Sequence, residues 1–227
     1  MACARDPSMR PRFRDRREGG ERLAERLRGY ANRSDVIVLA LPRGGVPVGF
    51  EVAEALRAPL DVFVVRKLGV PGQEELAMGA LASGGMRVLD QELIRMAAVS
   101  GEDIERVTAM ASEELSRQDR YYRGGLPFPD VAGKTVILVD DGLATGSTMR
   151  AAAQALRAQR PASIVVAVPV GAPETCEALR AVADDVVCVE TPDPFRAVGL
   201  WYENFSQTTD DEVHALLDRA RNPAPVT

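Results

Sequence analysis

Short apolar runs alternate along this chain with longer stretches of mixed character. Residues 35–41 (DVIVLAL), 60–65 (LDVFVV), 136–139 (VILV), 162–170 (ASIVVAVPV) and 185–190 (DVVCVE) are rich in β-branched residues. Runs of that length and composition read as strands, the most continuous of them buried on both faces. Between them, 46–57 (VPVGFEVAEALR), 149–159 (MRAAAQALRAQ) and 173–183 (PETCEALRAVA) carry the alanines, leucines and long polar side chains that suit helices, as does 17–29. Strands alternating with helices predict an α/β fold, with a mostly parallel, doubly wound sheet covered on both faces. Such sheets bind ligands beyond the carboxyl ends of their strands.

The remaining segments read less regularly. Residues 68–85 mix glycine, proline and charge and read as a long mobile loop ending in a short strand, with 86–90 as its hairpin partner. Ser100 followed by Asp103 opens a charged helix through about residue 122, and 124–130 is a loop. DDEVHALLDRA (210–220) is an amphipathic helix in which His214, the chain's one histidine, takes a structural place. Residues 1–15 are rich in arginine and proline and are expected to be loosely ordered. No linker and no repeat of solenoid length interrupts the chain, so 1–227 reads as a single domain.

The densest chemistry lies in 136–148, VILVDDGLATGST. Asp140 and Asp141 fall where the strand must end, because two ionised carboxylates cannot stay unpaired in an apolar sheet. Thr145, Gly146, Ser147 and Thr148 then lead into a helix, whose free N–H groups and dipole favour an anion. Carboxylates beside such a site accept hydrogen bonds from sugar hydroxyls, so the segment suits a sugar phosphate. It is not a Walker A loop, since no Gly-x-x-x-x-Gly-Lys-[Ser/Thr] occurs.

This run closely resembles the 5-phosphoribosyl-1-pyrophosphate (PRPP) motif of the type I phosphoribosyltransferases. The resemblance implies that Asp140 and Asp141 bind the ribose hydroxyls and hold Mg²⁺ through water, while Ala144, Thr145, Gly146, Ser147 and Thr148 cradle the 5′-phosphate. Pro42-Arg43-Gly44-Gly45 is similar to the family's pyrophosphate loop, in which a non-proline cis peptide is often found. Arg43, Gly44 and Gly45 would then contact pyrophosphate. Arg66 and Lys67 resemble the Arg-Lys that opens the flexible loop of adenine-type members, where the cations meet the diphosphate. Catalysis would rest on Arg43, Arg66 and Lys67. Glu74 and Glu75 read as charge on an exposed loop.

Residues 191–213 look like the family's base-binding hood. In it Phe195 would stack on a nucleobase, with Trp201, Tyr202 and Phe205 walling the pocket and Glu203 available to base or metal water. Ala144 stands where hypoxanthine–guanine members carry an acid, whereas the Pro-Asp-x-Phe of the hood leans towards purines, so the acceptor stays open. The implied activity is Mg²⁺-dependent transfer of phosphoribose from PRPP to a nitrogen nucleophile such as a nucleobase, releasing pyrophosphate. The alternative is a regulatory protein that senses PRPP or a nucleotide without turnover.

Composition narrows the partners. The formal charge of −5 argues against a general nucleic-acid binder. No apolar run approaches the ~20 residues of a membrane span, and the polar N-terminus lacks a signal-peptide core. Cys3, Cys176 and Cys188 form no zinc or redox spacing and read as reduced thiols, in keeping with a cytoplasmic protein. Small-molecule substrates are the expected partners, and assembly into a homo-oligomer is left open.

Overall fold

The computed structural model describes residues 13–222; Cys3 and most of the arginine-rich start lie outside them. A helix, α1 (Arg16–Arg26), precedes the first strand, β1 (Val36–Ala40), which is followed by α2 (Gly45–Leu56) and the short β2 (Leu60–Val62). Three further strands come next: β3 (Val65–Val70), β4 (Gln73–Ala82) and β5 (Met86–Leu89). Helices α3 (Gln91–Met96) and α4 (Gly101–Arg123) lead to β6 (Thr135–Val139), α5 (Ser147–Arg157), β7 (Ser163–Val170), α6 (Pro173–Leu179), β8 (Asp185–Glu190) and α7 (Asp210–Arg221).

The main sheet has the order β2-β1-β6-β7-β8 and every pairing in it is parallel. Alternate residues of its strands point to opposite faces, as the two-residue period requires. In β6, Ile137 and Val139 join a core with Leu23, Val48, Val52 and Leu217 from α1, α2 and α7. Val136 and Leu138 face the other way, onto Met149, Ala153 and Leu156 of α5 and Leu179 of α6. Full burial of β6 on both faces explains its unbroken apolar run. From β1 the chain passes through α2 on one face to β2, and from β6 it passes through α5 and α6 on the other face to β7 and β8. The crevice between the ends of β1 and β6 is therefore the topological switch point, where doubly wound sheets place their ligands.

Two expectations need correction. The run 60–65 is not one strand: β2 ends at Val62, and β3 belongs to a separate antiparallel sheet, β3-β4-β5. Residues 68–85 are not a long loop. The ten residues of β4 pair with β3 and β5, and Pro71-Gly72 makes the turn, with Gly72 at φ 77°. Proline followed by a positive-φ glycine is a turn signal, and the glycines at 69 and 79 sit inside the ladder where neighbouring backbone approaches closely.

Helix α4 is fastened over the sheet edge by a buried ionic network. Arg123, 2% exposed, pairs with Asp61 at 3.1 Å and Asp119 at 2.7 Å and donates to the carbonyl of Val62. Asp119 in turn accepts from the Ser83 hydroxyl, whose oxygen accepts from the Val64 amide. The expected Ser100 cap is present, with its hydroxyl accepting from the Asp103 amide. Cys176 and Cys188, distant in sequence, meet as free thiols with 2.7 Å between sulfurs. Among the described residues no helix is long and apolar enough to cross a membrane.

Candidate functional site

The loops after β1 and β6 meet because their strands are neighbours. Leu41 donates to the carbonyl of Val139, and the Pro42–Arg43 peptide that follows is cis. Glycine is required next. A Cβ on Gly44 would fall into the Asp141 carboxylate, and one on Gly45 would lie 2.7 Å from the Val139 carbonyl. The Pro-Arg-Gly-Gly turn and the acid pair thus form one floor.

Asp140 accepts at 2.8 Å from the Asp141 amide. Burial, and then the neighbouring Asp141 charge, push its carboxyl well above the usual range. Asp141 is also raised by burial, but Arg16 pulls it back: Arg16 Nε donates to Asp141 Oδ2 at 2.8 Å. Arg16 also donates to the Ser206 carbonyl at 2.7 Å, and its guanidinium lies 4.0 Å from the centroid of Phe205. Phe205 stacks on Tyr202, whose hydroxyl donates to the Asp141 carbonyl at 2.6 Å.

Arg16 is not a residue that the sequence singles out, since the charged start of α1 reads as a solvated face. Its signal is the Gly19-Gly20 pair inside the helix. A Cβ on Gly20 would lie 2.8 Å from the Val48 carbonyl, so glycine lets α1 lie close against α2 and carry Arg16 to the acids.

The loop expected to hold phosphate runs from Ala144 to the first turn of α5. The Ala144 carbonyl accepts from Thr175 Oγ1 at 2.6 Å, Gly146 is the N-terminal cap of α5, and Thr145, Ser147 and Thr148 are exposed. Lys67 reaches this loop from β3, donating to Ser147 Oγ at 2.7 Å. Two parts of the sequence that share no local pattern are joined by that contact.

Beside the floor opens a cavity of about 750 Å³, lined by Pro42, Arg43, Arg66, Thr148 and, from α4 and α7, Arg117, Tyr121 and Asp210. Arg66 and Arg117 both pair with Glu114 of α4, Arg117 at 2.7 Å. The Arg117 hydrogen bond holds the Glu114 carboxyl below its ordinary value. Arg43 faces Asp210 at 3.8 Å, and Asp210 accepts from the Tyr122 hydroxyl at 2.6 Å. None of the α4 side chains carries a motif, so only the tertiary packing of that helix brings them to the site.

Phe195 and Trp201 do not line this cavity. Both are half-buried on a small cluster formed by Phe13, Val170 and Tyr202. Backbone bonds from Phe13 to Trp201 and from Glu203 and Asn204 back to residues 13 and 14 hold this segment against the start of α1. Glu203 and the hairpin residues Glu74 and Glu75 are exposed. His214 packs edge-on against Tyr121, 4.4 Å between centroids.

Asp140 and Asp141 offer hard oxygen donors suited to Mg²⁺, an ion that takes one or two carboxylates and fills its octahedron with water and substrate phosphates. One guanidinium, Arg16, faces two carboxylates whose charge burial disfavours, so a bound hydrated cation would supply the counter-charge that favours their ionised form.

Comparison with known proteins shows the family. Residues 15–204 match the family described as the phosphoribosyl transferase domain. The chain is 47% identical over 208 residues to a protein of Mycobacterium tuberculosis strain H37Rv named for phosphoribosyl transfer, covering 92% of this chain and 47% of that one. It thus spans about half the length of the curated relatives it matches. The crystal structure of TT1426 from Thermus thermophilus superposes with a TM-score of 0.82 at 44% identity, over 91% of this chain and 97% of that chain. A shorter stretch of 107 residues is 32% identical to the bifunctional protein PyrR of Listeria welshimeri, covering 43% of this chain and 58% of that one.

Proposed function

This chain belongs to the phosphoribosyl transferase family, and on that premise we propose that it transfers phosphoribose from PRPP to a nitrogen nucleophile, releasing pyrophosphate with Mg²⁺ as cofactor. The observation that carries the reading is the single floor made at the switch point by Gly44 and the Asp140-Asp141 pair, with the 144–148 loop and Lys67 beside it. Asp140 and Asp141 hold the ribose hydroxyls and would hold the cation. Ala144, Thr145, Gly146, Ser147 and Thr148 anchor the 5′-phosphate at the start of α5.

Breaking the bond from C1 to the diphosphate oxygen leaves positive charge on the ribose and sends its electron pair to the departing diphosphate. The nitrogen lone pair forms the new C1–N bond, and the proton on that nitrogen leaves to solvent. Arg43, Gly44, Gly45, Arg66 and Lys67 meet that growing negative charge with fixed donors, where electrostatic stabilisation needs least reorganisation. Mg²⁺, when bound, neutralises diphosphate oxygens. Residues 191–213 serve as the hood over the same edge. The half-exposed rings of Phe195 and Trp201 offer a planar acceptor a stacking surface, and a nucleobase is the acceptor that such a surface favours.

The test is pyrophosphate release from PRPP and Mg²⁺ across a panel of nucleobases and small amines. Turnover with one acceptor class supports the enzyme. PRPP bound but never consumed supports the second reading, a PRPP- or nucleotide-sensing regulator. The observation favouring that reading is Arg16, which already occupies one oxygen of Asp141.

A further inference from the structure

The long helix α4 lies over the cationic side of the cavity, and the expected PRPP machinery uses none of its residues. Its Arg117 shares the cavity wall with Arg43 and Arg66. Both Arg66 and Arg117 hold the same carboxylate, Glu114, with Arg117 donating through Nε at 2.9 Å and Nη2 at 2.7 Å. This is the fork geometry in which a guanidinium grips two oxygens of a carboxylate or a phosphate. We propose that Arg117 is a third guanidinium ligand, beside Arg43 and Arg66, for the diphosphate of PRPP and of the pyrophosphate product, and that Glu114 is the internal anion which holds Arg66 and Arg117 until diphosphate displaces it.

The inference rests on the phosphoribosyl-transfer reading above and adds a residue to it. Position supports it first. Arg43 marks the pyrophosphate loop on one wall, Thr148 the end of the phosphate loop on another, and Arg117 closes the cavity from the α4 side. A volume of about 750 Å³ leaves room for a diphosphate between them.

Energetics support it next. The Arg117 side chain is 69% exposed and that of Glu114 33%, and ion pairs in such surroundings contribute little because solvent screens them. Glu114 is therefore readily displaced. A diphosphate brings more charge and more acceptor oxygens to the same guanidinium groups than one carboxylate does. The helix backbone, in contrast, is fixed by the buried Arg123–Asp61 and Arg123–Asp119 pairs. Only side chains need move.

Calorimetric titration of wild type, Arg117→Ala, Arg117→Lys and Glu114→Gln with pyrophosphate, PRPP and ribose 5-phosphate, each with Mg²⁺, tests the assignment. Arg117→Ala should weaken pyrophosphate and PRPP at least tenfold, about 1.4 kcal/mol, and leave ribose 5-phosphate, which lacks the diphosphate, within twofold. Arg117→Lys should recover part of the loss, and Glu114→Gln should tighten pyrophosphate by removing its competitor. Pyrophosphate affinity unchanged in a folded Arg117→Ala protein would overturn the proposal. If wild type binds neither PRPP nor ribose 5-phosphate, the phosphoribosyl reading fails instead. Pyrophosphate binding that depends on Arg117 would then still uphold the anion cluster.

Discussion

Arg16 Nε lies 2.8 Å from Asp141 Oδ2, so the first helix of the chain supplies the counter-charge for an acid 125 residues away. Both side chains are largely buried, at 12% and 16% exposure. Burial raises the Asp141 carboxyl and Arg16 opposes the rise. With the folded pKa above the unfolded value of about 3.9, the folded state holds more protons between the two, and stability falls as pH rises through that window. Arg16→Ala removes the opposing cation and steepens the fall. Urea denaturation should show a loss of roughly 3 kcal/mol at pH 7.5 that narrows at pH 5, where Asp141 protonates more readily. A gap independent of pH would mean that the pair is not held by charge.

Arg123 gives a sharper stability test. It is almost fully buried and faces Asp61, whose carboxyl is raised by burial and pulled down by this arginine. Arg123→Ala strands that acid and frees the end of α4, so it should cost roughly 3–5 kcal/mol, about 10 °C in Tm. Thermal melting reads this directly, and a shift under about 2 °C, well below that scale, would show that the network does not fasten the helix.

Much of the architecture is legible in the chain. β1, β6 and β7 announce themselves because burial on both faces leaves them few polar positions. β8 shows by its β-branched run although it lies at the half-buried edge, and the acids after β6 mark where the sheet stops. The acid pair and the Pro-Arg-Gly-Gly turn are legible for the same reason: each follows a recognisable strand end. What stays hidden depends on packing between distant segments. Arg16 and Arg117 look like ordinary charges on amphipathic helices until α1 and α4 are docked. The β3–β4 hairpin escapes a reading by composition because its glycines and proline, which serve close strand packing and one turn, are those of a loop.

That hairpin limits where a lid can move. Amides in the β3–β4 ladder should resist hydrogen exchange without any ligand, and slowing on addition of PRPP, Mg²⁺ and acceptor should be confined to the exposed turn around 71–75. Rapid exchange throughout 65–82 in the free protein would restore the picture of a long mobile loop.

Phe195 separates the stacking role of the hood from simple packing. Its ring touches the Phe13–Tyr202 cluster but is only half-buried. Base–aromatic stacking is worth roughly 1–3 kcal/mol, so Phe195→Ala should raise the acceptor KM about tenfold while PRPP binding changes little. A lowered Tm with unchanged acceptor kinetics would make the ring a packing residue and move the acceptor elsewhere.

Everything proposed for the site depends on the carboxylates at the switch point holding the ribose of PRPP. Calorimetry of PRPP with Mg²⁺ on wild type and on the Asp140→Asn, Asp141→Asn double variant measures this most directly. Both changes keep the side-chain shape while removing charge. Burial disfavours the charge of both acids in the fold, which offsets part of what is lost with the Arg16–Asp141 pair, so the variant should remain folded with a lower Tm. Its affinity for PRPP should be at least tenfold weaker, about 1.4 kcal/mol, in a protein that still melts cooperatively. An unchanged affinity in that folded protein would contradict the assignment.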